Sequence, residues 1–299
     1  MNILQKHRSL VLPLAIVLGF LFHAYLAKWI GAVPYLLFGM LLLAYAGISL
    51  RDIRITRMDI ILLAFQLLFG IGVFVLIKNI DDVVAQGMLV AVLCPTATSA
   101  TVVAVLLGAK TETMLTYTLF SNLTLALLMP LCFMSMDIIQ GMSLWQTCWA
   151  ILGKVVPMLL FPFLVAMLIK YRFPKVNTTL VAHKGDSLYL WAVSLTLVLG
   201  STFNSILEQP QTNLPRLWGM LAGALFVCAV QFAVGKYVGW RFGEKIAGGQ
   251  AVGQKNTAIA IWMAQTFLNP VASVVPAAYS VWQNLFNSYQ LWRKEKREK

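Results

Sequence analysis

Lys255 stands inside an apolar segment, AVGQKNTAIAIW (251–262), with Gln250, Gln254, Asn256 and Thr257 around it. A cation this deep in an apolar run is costly, and such residues usually face a cavity or a partner and mark a pathway. A second polar cluster lies in CPTATSAT (94–101), where Thr98, Ser99 and Thr101 supply hydroxyls. Hydroxyls, amides and one ammonium can bind and orient a polar or charged cargo. Catalysis needs more: the chain has no H-E-x-x-H, no G-x-S-x-G and no P-loop pattern, and His7, His23 and His183 are dispersed. With no general base in view, an intramembrane enzyme or an ATP-driven pump is disfavoured. Cys94, Cys132, Cys148 and Cys228 lack C-x-x-C spacing and read as small core hydrophobes rather than a metal or redox site.

The elements that position these residues follow from composition. The chain is 60% hydrophobic and 11% charged, with a mean hydropathy of +0.78, against roughly 25% charged residues in soluble domains. This predicts an all-α polytopic membrane protein. A span takes roughly 20 apolar residues, and the uncharged runs predict ten, at about 10–28, 33–50, 58–77, 83–107, 112–134, 145–169, 187–205, 216–235, 246–267 and 270–292. The first run has spanning length and no A-x-A-like site after it, so it reads as a span and not a cleaved signal peptide.

With the N-terminus inside, eighteen basic residues fall on the inner side, Lys6, Arg51 and the tail RKEKREK (293–299) among them. Lys28, Lys78 and Arg216 fall outside, and Lys154 and Lys255 lie within spans. This asymmetry predicts cytoplasmic termini in a plasma or bacterial inner membrane. It also assigns the net charge of +12 to orientation and anionic lipid rather than to nucleic acid. All eleven acids, Asp52 and Asp137 included, sit in loops or at helix ends, which weighs against an antiporter built on buried aspartates.

The polar interruptions recur in register. Residues 94–101 interrupt the fourth span and precede one bearing Ser121, Asn122 and Thr124; residues 252–257 interrupt the ninth and precede one bearing Ser280, Gln283, Asn284, Asn287 and Ser288. The chain thus reads as two five-span repeats, 1–134 and 145–292. Five is odd, so the second repeat enters the membrane inverted. Paired broken helices in inverted repeats point to a transporter site at the midplane.

At these residues the chain resembles the bile acid:sodium symporter family. PTATSAT (95–101) is similar to that family's P-G-G-T-x-S-N, VGQKN (252–256) to its E-x-G-x-Q-N, and YSVWQN (279–284) to its S-V-W-H-N. Gln66 falls where the family often has a glutamine. The resemblance implies one transporter unit over 1–299, with a panel domain (about 10–50 plus 145–205) and a core domain (about 58–134 plus 216–292). It further implies crossed broken helices 4 and 9, two sodium ions beside the crossing, and an organic anion between the domains.

The departures weigh more. Through Gly253 and Asn256 the family's acidic sodium ligand falls on Ala251 and its glutamine ligand on Lys255; its serine and asparagine ligands fall on Ala100 and Thr101. A sodium site needs several oxygens and usually net negative charge. Gln66, Thr101, Thr118, Gln254 and Asn256 are the oxygens left for one, and a one-residue shift would bring Gln250 and Gln254 to the ligand places. The expectation is that Lys255 takes sodium's place, its ammonium bonding helix C-terminal carbonyls and oxygens such as Gln66 Oε1 or Thr101 Oγ1. Release of its proton is then a coupling event in place of sodium entry. Lys154 either meets the anion or snorkels to headgroups, and Asn284 either contacts substrate or bonds between helices.

The sequence therefore predicts a transporter of an organic anion (bile-salt-like, sterol sulfate or smaller carboxylate), working by alternating access without sodium and without another cofactor. A sodium symporter with a rebuilt ion site and a non-transporting sensor on the same fold stay open as alternatives.

Overall fold

The computed structural model describes residues 8–48, 53–135, 144–208 and 214–298. Lys6, His7, Arg51, Asp52, Asp137 and Lys299 lie outside the described residues, as does the side chain of Thr98. In chain order the helices are α1 (Arg8–Leu21), α2 (His23–Leu26), α3 (Val33–Tyr45), α4 (Arg57–Ile77), α5 (Asp82–Leu93), α6 (Thr98–Leu107) and α7 (Thr111–Ser135). They continue as α8 (Leu144–Arg172), α9 (Pro174–Ala182), α10 (Ser187–Glu208), α11 (Leu214–Arg241), α12 (Lys245–Gly253), α13 (Thr257–Phe267) and α14 (Val274–Glu298). No strand occurs among the described residues, apart from one isolated bridge considered below.

Among the described residues, six helical segments are long and apolar enough to cross a membrane: His23–Tyr45, Arg57–Ile77, Thr111–Phe133, Leu152–Arg172, Lys184–Glu208 and Leu214–Arg241. This is the architecture of a helical membrane protein. Two further apolar helices, Asp82–Leu93 and Thr257–Phe267, are too short to cross alone. At 1.5 Å per residue a 12-residue helix reaches only about 18 Å, against a hydrocarbon core of about 30 Å.

The two opening spans differ from expectation. Their boundary was expected at about residues 29–32, whereas the helix breaks earlier, at Phe22, and Ala27–Ala32 continue as a 3-10 helix into α3. Pro34 sits at the start of α3, where its missing N–H would have no helical partner in any case, so it begins the helix without interrupting the chain's local hydrogen bonding.

The chain divides into two compact units, one of residues 1–49 and 126–211, the other of 50–125 and 212–299. In the first, α3 packs on α8 and α10, and α10 packs on α1. Gly19 lets α1 approach the α10 backbone at Leu199 and Gly200, and Gly200 makes room for the Leu26 side chain of α2. Tyr45 meets Phe163, and Phe20 meets Phe203, edge to face at 5.7 and 5.5 Å, a geometry that the ring quadrupoles favour.

In the second unit, α4 starts on a capping box. Thr56 accepts from Asp59 N while the Asp59 carboxylate accepts from Thr56 N at 2.7 Å, satisfying orphan amides at the helix start. The tightest helix contact is α11 against α12. Gly235 and Gly239, four apart on α11, lie against Gly248, and a Cβ on any of the three would collide with the opposing backbone. In lipid, where the hydrophobic effect does not hold helices together, such small-residue seams let backbones close and gain dispersion contact. Gly248→Val should therefore cost about 3 kcal/mol, as overpacking against backbone that cannot yield. Thermal unfolding in detergent checks this; a melting point unchanged from the parent would refute the seam.

Candidate functional site

The second unit brings its two interruptions together. After α5 the chain leaves the helix at Cys94 and re-enters at Thr98; after α12 it leaves at Gln254 and re-enters at Thr257. Pro95 has no N–H to continue the first helix, and Gly253 closes the second. The two exposed backbones then pair with each other. Thr96 and Lys255 form an antiparallel bridge, in which Ala97 N donates to Gln254 O at 3.0 Å and Asn256 N to Pro95 O at 2.9 Å. Each interruption thus meets orphan backbone groups of the other.

Side chains complete the bracing. Thr96 Oγ1 donates to Ala251 O at 2.7 Å and lies 3.2 Å from Ser121 Oγ on α7. Cys94 Sγ donates to Asn256 O at 2.8 Å. Gln66, wholly buried on α4, donates to Cys94 O at 3.1 Å and accepts from Tyr117 Oη at 3.3 Å. Tyr279 Oη donates to Gly253 O at 2.8 Å and accepts from Gln231 at 3.1 Å. Asn256 Oδ1 caps α13 by accepting from Ile259 N at 3.4 Å, and Thr257 meets Ser280 at 3.1 Å.

Lys255 is at the centre, with only 1% of its surface exposed. On the edge away from the bridge, its N–H donates to Gln283 Oε1 at 2.8 Å and its carbonyl accepts from Gln283 Nε2 at 3.2 Å. One side-chain amide therefore does what a neighbouring strand would do. The ammonium has no hydrogen-bond partner among the described residues; the titratable groups that face it there are the thiols of Cys94 and Cys228. This corrects the expected contacts with Gln66 and Thr101. Gln66 is committed on both ends to Cys94 and Tyr117, and Thr101 lies on α6, half-buried.

The other expected residues distribute as follows. Gln254 donates to Ser99 Oγ at 2.9 Å, and Gln250 to Asn287 Oδ1 at 2.8 Å, each leaving its carbonyl oxygen buried without a partner among the described residues. Thr118 Oγ1 is likewise buried and unpartnered among the described residues, and Asn122 is buried on α7. Asn284 donates to Ser280 O on its own helix at 2.7 Å. Lys154 is exposed on α8, in the other unit. Thr98 opens α6.

The residues at the positions where the resemblance implies sodium ligands do not fit the ion. Ala100 and Ala251 are buried methyls, and Ala251 O is already taken by Thr96. Asn256 Oδ1 is spent on the α13 cap. The unpartnered oxygens of Thr118 and Gln254 are neutral, and no carboxylate stands among the described residues of the crossing to offset an alkali cation's desolvation.

Thr96, Cys94, Gln283, Tyr279 and Gln231 carry much of this geometry; Gln283 was expected only as one of several polar residues of the last span and Cys94 as a small core hydrophobe, and the other three were not singled out beforehand. Gln231 and Gln283 had a signal, as amides in apolar helices. Thr96 and Cys94 had none, because a short hydroxyl or thiol in a membrane helix most often bonds its own backbone or packs. No protein-family model matches the chain, and no curated protein matches it.

Proposed function

We propose that this protein is a transporter of an organic anion, working by alternating access without sodium, and that Lys255 occupies the place where related transporters bind the ion. One observation carries the reading: two broken helices joined through their breaks around a buried lysine. Interrupted helices at membrane depth are tolerated where they build a ligand site, and they recur in secondary transporters. The N-termini of α6 and α13 both open at the crossing, and their positive dipole ends suit an anionic group. The finer architecture belongs to the same proposal: ten crossings in two inverted repeats, with both termini cytoplasmic.

The test is counterflow of labelled organic anions in liposomes, run in sodium chloride and in choline chloride. Equal rates in the two salts are expected, together with equal melting temperatures of the purified protein. A ligand that binds only the folded state at a hundred times its dissociation constant adds about 2.7 kcal/mol, so a sodium-specific melting shift would be plain and would overturn the sodium-free reading. Anion binding without counterflow would identify a sensor instead.

A further inference from the structure

The two halves of the second unit, on either side of the crossing, differ in polarity. On one side run α5, α13 and the start of α14. From Gly87 to Leu93 and from Ala258 to Ala264 every residue is buried and apolar. Hydrocarbon thus packs that half between the crossing and the polar groups of Gln86 and Gln265 at its far end.

On the other side run α6, α12 and the end of α14. Lys110 pairs with Glu244 at 3.2 Å and Lys294 donates to Leu106 O at 2.9 Å, which places the far ends of these three elements at one basic edge. Between that edge and the crossing lies a row of amides. Gln283 brackets Lys255; Asn287 and Gln290 follow at helical spacing on the same side of α14, covering about 10 Å of its length. Asn287 Oδ1 accepts from Gln250 at 2.8 Å and from Gln290 at 3.4 Å, and Gln254 reaches Ser99. The carbonyl oxygens of Gln250 and Gln254 are buried and have no partner among the described residues. A buried amide oxygen without a donor is costly, and water is the donor that such sites recruit when several polar groups converge.

We propose that this amide row is a hydrated half-channel, a short file of waters joining the crossing to the basic edge. Gln250 and Gln254 each accept from a water of the file, and Asn287 and Gln290 line its mouth. Polar traffic to and from the crossing, protons included, then has one aqueous route within this unit, from the basic side. That this side is cytoplasmic rests on the orientation proposed above; the hydration does not.

Hydrogen exchange of the full-length protein in detergent, read by mass spectrometry, tests it. The amides of Gln250–Gly253 should exchange at least tenfold faster than those of Ile259–Met263 at equal depth on the apolar side. Combining Gln250→Leu with Asn287→Leu should slow the first segment at least threefold and leave the second unchanged. Should that double variant fail to fold, Gln290→Leu at the half-buried mouth carries the same comparison. Equal protection of the two segments, or exchange unaltered in a folded variant, overturns the half-channel. A protein inert in counterflow with a fast-exchanging α12 would instead remove the transport reading and leave the half-channel standing.

Discussion

Lys255→Met is expected to abolish counterflow while leaving the fold at least as stable as the parent. The lysine side chain is buried, and its ammonium lacks a hydrogen bond among the described residues. Desolvating such a group costs several kcal/mol that only good pairing repays. Methionine has nearly the same length and flexibility and no charge. The fold should therefore gain stability, by about 1 kcal/mol or more on the pattern of buried charges replaced by apolar residues. Transport should fall more than tenfold, because the cation that stands in for sodium is gone. The two readouts together make the result interpretable: loss of transport in a more stable protein cannot be misfolding. Undiminished counterflow in Lys255→Met would show that the lysine is an accident of packing.

The second large effect is expected at Gln283. Its amide supplies the acceptor for Lys255 N and a donor to Lys255 O. The carbonyl has a second donor in Thr257 N at 3.0 Å, whereas no other acceptor faces the N–H among the described residues. Gln283→Leu keeps the volume and leaves that N–H buried and unmet, at about 1–3 kcal/mol. Gln283→Glu keeps the acceptor and should retain most of the stability. Thermal unfolding of the pair separates a hydrogen-bond role from simple packing. If leucine and glutamate behaved alike, the bracket around Lys255 would not be the contribution that matters.

How far the site was legible beforehand depends on the residue. The interruptions were readable from Pro95 and Gly253 set among clustered polar side chains, since a helix in lipid cannot hide an unbonded backbone. Gln66, Gln254 and Asn256 were readable as polar groups in apolar surroundings, and all three lie at the crossing. What each one bonds was not readable. Gln66 was expected to meet the lysine and instead joins α4 to the first break and to Tyr117. The break at Phe22 was missed because nothing in the local residues forbids a helix there; it lies beside α10, where Leu26 packs against Gly200.

Sequence by itself determined the solvent and the local backbone: apolar runs of spanning length demand helices in a bilayer, and Pro, Gly and polar clusters say where those helices fail. Tertiary structure alone decided which failed ends meet. The pairing of Thr96 with Lys255 joins residues that lie far apart in the chain, and the choice of Gln283 over Gln66 as the lysine's bracket depends on which helix faces the free edge. Hydrogen bonds are short-ranged and directional, so their partners are set by where the elements pack, which no local pattern encodes.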